Sequence, residues 1–134
     1  MAVFAAYLGV RPTRRTTTWP FEVPRGTMIS RHWRGVAKPE QAEAYVHHLR
    51  HDTFPTLARI PGFIQASILR RDVETGTEFQ IVTLWDSLSA IKAFAGEQLD
   101  IAVVPASVQA MMSRYDERVV HYHIAETFVP AKGA

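Results

Sequence analysis

Cysteine is absent from all 134 residues, which excludes disulfides, thiolate nucleophiles and cysteine-based metal sites together. Glycine is sparse, seven in all, and no glycine-rich phosphate loop, P-loop or nucleophile elbow occurs. No apolar run approaches the roughly 18 residues needed to cross a bilayer. The apolar opening, residues 1–10, precedes Arg11, Arg14 and Arg15, the reverse of the order in a secretory signal. A cytoplasmic protein with no membrane partner is the expectation.

Basic charge is also scarce where folding is expected. Of 15 Lys+Arg and 13 Asp+Glu, residues 1–27 hold four and one, leaving 11 basic and 12 acidic groups on the remainder. A nucleic-acid groove needs a basic stripe on the folded part, so nucleic acid is not an expected partner. What remains is an ordinary globular balance, 47% hydrophobic and 21% charged, sized for one domain.

Residues 1–27 read as a poorly ordered extension, with Pro20, Pro24 and Gly26 and no lasting periodicity. An alternative lays them over the domain or a partner through Trp19 and Phe21. Residues 128–134 are a short tail. Between them, residues 28–127 carry clear patterns. Ile29 to Arg34 is a strand ending at Gly35. Lys38-Pro39-Glu40 opens a helix whose Ala42, Tyr45, Val46 and Leu49 make one apolar stripe. Pro55 kinks or restarts it, and Pro61-Gly62 ends it. Phe63 to Arg71 and Glu78 to Trp85 are strands around a hairpin loop at 72–77. Asp86 or Ser87 caps a helix through Leu88, Ile91, Phe94 and Ala95, which Gly96 terminates. Residues 97–115 read as further helix, and Val119 to Glu126 as a last strand. This order is the split βαβ, ferredoxin-like α+β arrangement: a four-stranded antiparallel sheet with helices on one face.

The strands imply a second cover. In the third strand Phe79, Ile81 and Trp85 point one way while Val82 and Leu84 point the other. The last strand likewise sets Val120, Tyr122 and Ile124 against Val119 and Ala125. A sheet apolar on both faces leaves a sticky patch unless both are covered, and a second copy is the simplest cover. A homodimer is expected.

Several segments, Met28-Ile29-Ser30-Arg31-His32-Trp33-Arg34-Gly35, Pro61-Gly62-Phe63, Thr83-Leu84-Trp85-Asp86-Ser87, Ala90-Ile91-Lys92-Ala93-Phe94-Ala95-Gly96 and Val120-His121-Tyr122, together resemble the antibiotic biosynthesis monooxygenase superfamily across about 100 residues, 28–127. The resemblance implies a dimeric α+β barrel with a pocket in each subunit between sheet and helices. Characterised relatives oxidise quinols or polyphenolic aromatics with O2 and neither metal nor flavin; others degrade haem, and some perform no oxidation. The haem-degrading pattern has an Asn on the first strand, a Trp late in the second helix and a His soon after. Here those positions hold Trp33 (or His32), Phe94 and about Val104, which argues against haem degradation.

Metal-free oxygenation needs a substrate that can be deprotonated, a base working near neutral pH, a dry aromatic-lined cavity and a holder for the phenolate. The candidates for the catalytic base are His32 and His121, with Arg31 or Arg34 as anion partner and Trp33, Tyr45, Trp85 and Tyr122 as walls. No cofactor is expected, and the partners would be a small hydroxylated aromatic or quinol and O2. A non-catalytic small-molecule-binding or stress-response dimer of the same fold is the alternative. His121 and His123 leave one face of a strand and His32 could approach them, which would suit zinc, copper or iron. A hydrogen-bonded cluster is the preferred reading, so no metal is expected. His47, His48 and His51 read as a solvated helix face, from which His48 or His51 could still reach a pocket mouth.

Overall fold

The computed structural model describes residues 26–131. All of the expected extension except Gly26 and Thr27 lies outside them, Trp19 and Phe21 included, as do residues 132–134 of the tail.

The first strand, β1, runs Ile29–Ala37 and passes through Gly35 rather than ending there. Gly35 leaves room for its neighbours instead. A Cβ at that position would stand 2.6 Å from the Trp33 ring and 3.1 Å from Met112 Sδ. A 3-10 turn at Pro39–Gln41 leads into helix α1, Ala42–His48, with Pro39 early in the turn. A π-helical turn follows at Leu49–Thr53, then helix α2, Phe54–Leu57. Pro55 has no N–H to donate back along the helix, so the bond pattern widens before the helix resumes. Ala42, Tyr45 and Leu49 are the buried stripe.

Strands β2, Phe63–Val73, and β3, Gly76–Trp85, use up most of the expected hairpin loop, with Val73 pairing Gly76 and only Glu74 and Thr75 between them. Gly76 is at φ 149°, and a Cβ there would collide with the Ala37 carbonyl. Helix α3, Leu88–Ala95, is capped by Ser87 Oγ, which accepts from Ala90 N at 3.1 Å, and ends at Gly96 with φ 88°.

The region 97–115 departs most from expectation. Its helix, α4, covers only Ala106–Met111, and Met112–Tyr115 is a strand, β4. The reason is pairing. The edge of β1 offers Gly35–Ala37 unpaired backbone, β4 takes it, and Ser113 Oγ donates to Val36 O at 3.1 Å while Met112 turns into the core. Local helical preference yields to tertiary context. The last strand, β5, is Val120–His123, shorter than expected. It pairs Ile29–His32, so β4 and β5 share one edge of β1. The antiparallel order β2-β3-β1-β4, with β5 also on β1, is the ferredoxin-like α+β fold with its fourth strand position split in two.

Helices cover one face. One core gathers Tyr45, Leu49, Phe79, Val108 and Met112; a second gathers Ile29, Leu57, Trp85, Ile91 and Leu99. Phe79 and Trp85 are fully buried, each worth roughly 1.5–3 kcal/mol of burial. Strand parity then sorts every other residue. Arg31, Trp33, Ile81, Thr83 and His121 lie on the helix side, while His32, Gln80, Val82, Leu84, Val120 and Tyr122 lie on the other.

Candidate active site

Between the sheet and the helices lies a cavity of about 80 Å³. Arg31, Trp33, Ile81 and Thr83 form its sheet wall, and Tyr45, Leu49 and Phe54 come from the helices. Phe94, Val104 and Val108 close the far side. The lining is mainly apolar and aromatic, as small-molecule sites usually are. An outer cleft of about 380 Å³, bearing His48, Asp52 and Thr56, shares Thr53, Phe94, Val103 and Pro105 with the cavity and forms its mouth.

Arg31 dominates the electrostatics. It is only 5% exposed. Its Nη1 donates to Leu99 O at 2.7 Å and to His121 Nε2 at 3.0 Å, and its Nη2 donates to Ile101 O at 3.1 Å. Its guanidinium carbon lies 5.6 Å from the centre of the Phe94 ring. No carboxylate pairs with it directly among the described residues. Asp100, whose charge partly supports it, is bonded to Arg118 at 2.6 Å. Burial therefore lowers its pKa to about 10, and it stays protonated at neutral pH.

His121 sits behind Arg31, as its directly opposite partner on β5. Since Arg31 can only donate, Nε2 of His121 is the acceptor and the ring is neutral. Burial, then the adjacent guanidinium, push its pKa from 6.5 to about 4. Tyr45, 3% exposed, is pushed up by burial and keeps its proton. Thr83 Oγ1 accepts from Trp85 Nε1 at 2.8 Å.

The structure brings together Arg31, Trp33 and Tyr45 on the cavity, with His121 one layer back. Trp85 lies behind the wall in the core, edge-on to Phe63 and stacked at 6.1 Å on Phe94. His32 does not join His121 and His123 on one face, although its charge is near enough to help lower the His121 pKa. It opposes Val120, and strand alternation turns it to the far face, where it meets Tyr122 edge-on at 5.0 Å, Ser30 Oγ at 2.9 Å and Gln80 at 3.5 Å. The three-histidine arrangement is thereby overturned, and among the described residues no group of three or more His, Cys, Asp or Glu could hold a metal ion. Arg34 is exposed and pairs with Asp116 at 3.4 Å. Trp33, Phe94 and Val104, the three positions compared with the haem-degrading pattern, all line the cavity.

Thr83 was missed, and for His48, given only as an alternative at a pocket mouth, the pairing with Asp52 was missed. Thr83 was legible as a polar residue on the buried parity of β3. His48 and Asp52, separated by one helical turn, form a pair at 3.3 Å at the cavity mouth; the signal was their i,i+4 spacing. His48 is largely buried (side chain 15% exposed), whereas His47 and His51 stack at 4.1 Å on the exposed side.

A split-βαβ fold with a largely apolar cavity between sheet and helices defines a class of small ferredoxin-like α+β proteins. The model of the antibiotic biosynthesis monooxygenase family matches residues 28–99, and the chain belongs to that family. Solved structures share its fold. A candidate antibiotic biosynthesis monooxygenase from Bacillus cereus is 17% identical, with TM-score 0.58 over 80% of this chain and 100% of that one. SnoaB, a cofactor-independent oxygenase from Streptomyces nogalater, seen as an asparagine-to-alanine variant, is 14% identical, with TM-score 0.54 over 75% and 95%. The monooxygenase ActVA-Orf6 of Streptomyces coelicolor, in complex with nanaomycin D, is 18% identical, with TM-score 0.52 over 81% and 96%. No curated protein matches the chain significantly in sequence. No helix among the described residues is long and apolar enough to cross a membrane.

Proposed function

We propose that the protein is a cofactor-independent monooxygenase that oxidises a small hydroxylated aromatic or quinol with O2. One observation carries this reading: a buried guanidinium with no carboxylate paired to it among the described residues lines a half-open, aromatic-walled cavity. With Asp100 bonded to Arg118, the buried cation has only partial charge support; a buried cation without a directly paired anion is costly, and a phenolate supplies one. The family, and the fold shared with the cofactor-independent oxygenase SnoaB, support the class of reaction.

Arg31 holds the phenolate and favours its formation. His48, with Asp52 on its Nδ1, is the base at the mouth that takes the phenol proton. His121 is a positioning residue that fixes Arg31 from behind. The ionised ring gives an electron to O2, and the radical pair closes a C–O bond as a peroxide. At a ring C–H carbon the peroxide takes back the proton held by His48, and loss of water with that C–H proton then leaves C=O, one oxygen atom in the product and the other in water. The dry cavity keeps the anion from competing solvent. Oxygen uptake with a panel of hydroquinones and naphthols tests the reading. Arg31→Met should lower uptake by about two orders of magnitude, and no uptake from wild type across the panel refutes it.

The rival, a non-catalytic binding dimer, is favoured by two facts: no carboxylate lines the deep cavity among the described residues, and the histidine behind it is held neutral. Ligand binding without turnover, unaffected by His48→Gln, would establish it. In either reading a homodimer forms through the open sheet face, where Leu69, Val120 and Tyr122 are 47%, 51% and 57% exposed beside Val82 and Leu84.

A further inference from the structure

The cavity wall presents hydrogen-bond donors without acceptors. A guanidinium carries five N–H groups, and Arg31 uses three, so its Nε–H and one Nη2–H have no acceptor among the described residues. Thr83 accepts from Trp85 Nε1, yet its own O–H has no acceptor among the described residues. The same holds for the Tyr45 O–H, whose ring contacts are with Trp33 and Phe79. These residues are 5%, 6% and 3% exposed. Buried polar groups are nearly always bonded, and buried tyrosine hydroxyls usually find a partner. Three side chains with unmatched donors on one cavity describe what it receives.

Their placement describes it further. Arg31 and Thr83 are directly opposite cross-strand partners on one sheet face, so they leave the sheet side by side and converge on one charged oxygen group. Tyr45 comes from the helix layer, over Trp33 and Phe79, and addresses a separate acceptor. The cavity, about 80 Å³, is smaller than the roughly 150 Å³ that accepts benzene. A single ring therefore fills it and reaches into the mouth.

We propose that Arg31, Thr83 and Tyr45 make the site selective for a one-ring aromatic bound as an anion, its phenolate or carboxylate on Arg31 and Thr83 and a second, uncharged oxygen acceptor on Tyr45. This names the substrate class within the oxygenase reading and rests on the same cavity.

Redox-inert probes separate the two claims. Calorimetric titration of the full chain with 4-methoxybenzoate, 4-ethylbenzoate and 4-methoxybenzamide compares matched shapes. The expected order puts 4-methoxybenzoate about five- to tenfold tighter than 4-ethylbenzoate and at least about tenfold tighter than the neutral amide. Tyr45→Phe should erase the methoxy preference and leave the anion preference. Thr83→Val should reduce the anion preference, and because it also orphans the Trp85 indole, Thr83→Ser is the control that restores it. Equal affinity for the methoxy and ethyl acids, a Tyr45→Phe variant with an unchanged ratio, or no binding at millimolar concentration overturns the inference. The expected order with no oxygen uptake from any phenol upholds it while removing the oxygenase reading.

Discussion

The two faces of this sheet are built from the same strands and carry the same kinds of side chain, yet they hold them in opposite physical states. On the helix side, Arg31 and His121 are desolvated, bonded to each other at 3.0 Å and displaced from their ordinary pKa values. On the far side, His32 and Tyr122 lie one residue away along β1 and β5, in edge-on contact, with Tyr122 largely open to solvent. A single step in strand parity separates a buried charge at a cavity from a surface pair. Chemistry here follows the face and not the residue type.

That contrast can be broken in graded ways. The largest effect is expected from Trp85→Ala on the helix side, which empties a fully buried site and should cost about 3–5 kcal/mol in denaturant unfolding. Tyr122→Ala on the far side, measured in the monomeric state, should cost well under 1 kcal/mol; comparable losses would show that the faces are equivalent. Val120→Asp comes next. It sets a charge on the open face and should turn a dimer into folded monomer by light scattering, with helical circular dichroism unchanged. A wild-type protein that is already monomeric would show that this face needs no cover.

A smaller effect tests the neutral state of His121. Its folded pKa, about 4, lies below the unfolded 6.5, so between those values the unfolded chain binds the extra proton. Stability from this group is therefore complete above about pH 6.5 and is lost as pH falls toward 4. His121→Gln should flatten that part of the pH–stability curve, whereas His32→Gln on the far face should leave it in place. The smallest expected effect is Tyr45→Phe. Removing a buried hydroxyl with no acceptor among the described residues should leave stability unchanged or raise it by about 0.5–1 kcal/mol without ligand. A loss above 1 kcal/mol would mean that the hydroxyl is bonded in the free protein.

Much of the scaffold was legible because it rests on local rules. The period-2 run of β3, the Ser87 cap, the Gly96 stop and the Ala42-Tyr45-Leu49 stripe are decided within a few residues. Arg31, Trp33 and Tyr45 were legible as site candidates from residue type and family likeness. The conversion of Met112–Tyr115 from helix to strand was not, since it depends on an edge of β1 some 75 residues earlier in the chain. Thr83 and the His48–Asp52 pair escaped notice because each looks ordinary until a cavity lies beside it.

By itself the sequence determined the alternation of each strand, the caps and stops of the helices and the family to which the chain belongs, since these depend on spacing and near neighbours. Only the tertiary structure decided which strand lies beside which and in what register. That register alone set Arg31 against His121 and Thr83, turned His32 to the other face, and left the unmatched donors of three side chains on one largely apolar cavity. The physical reason is that parity is fixed within a strand, whereas its partner and burial are fixed by contacts far away in the chain.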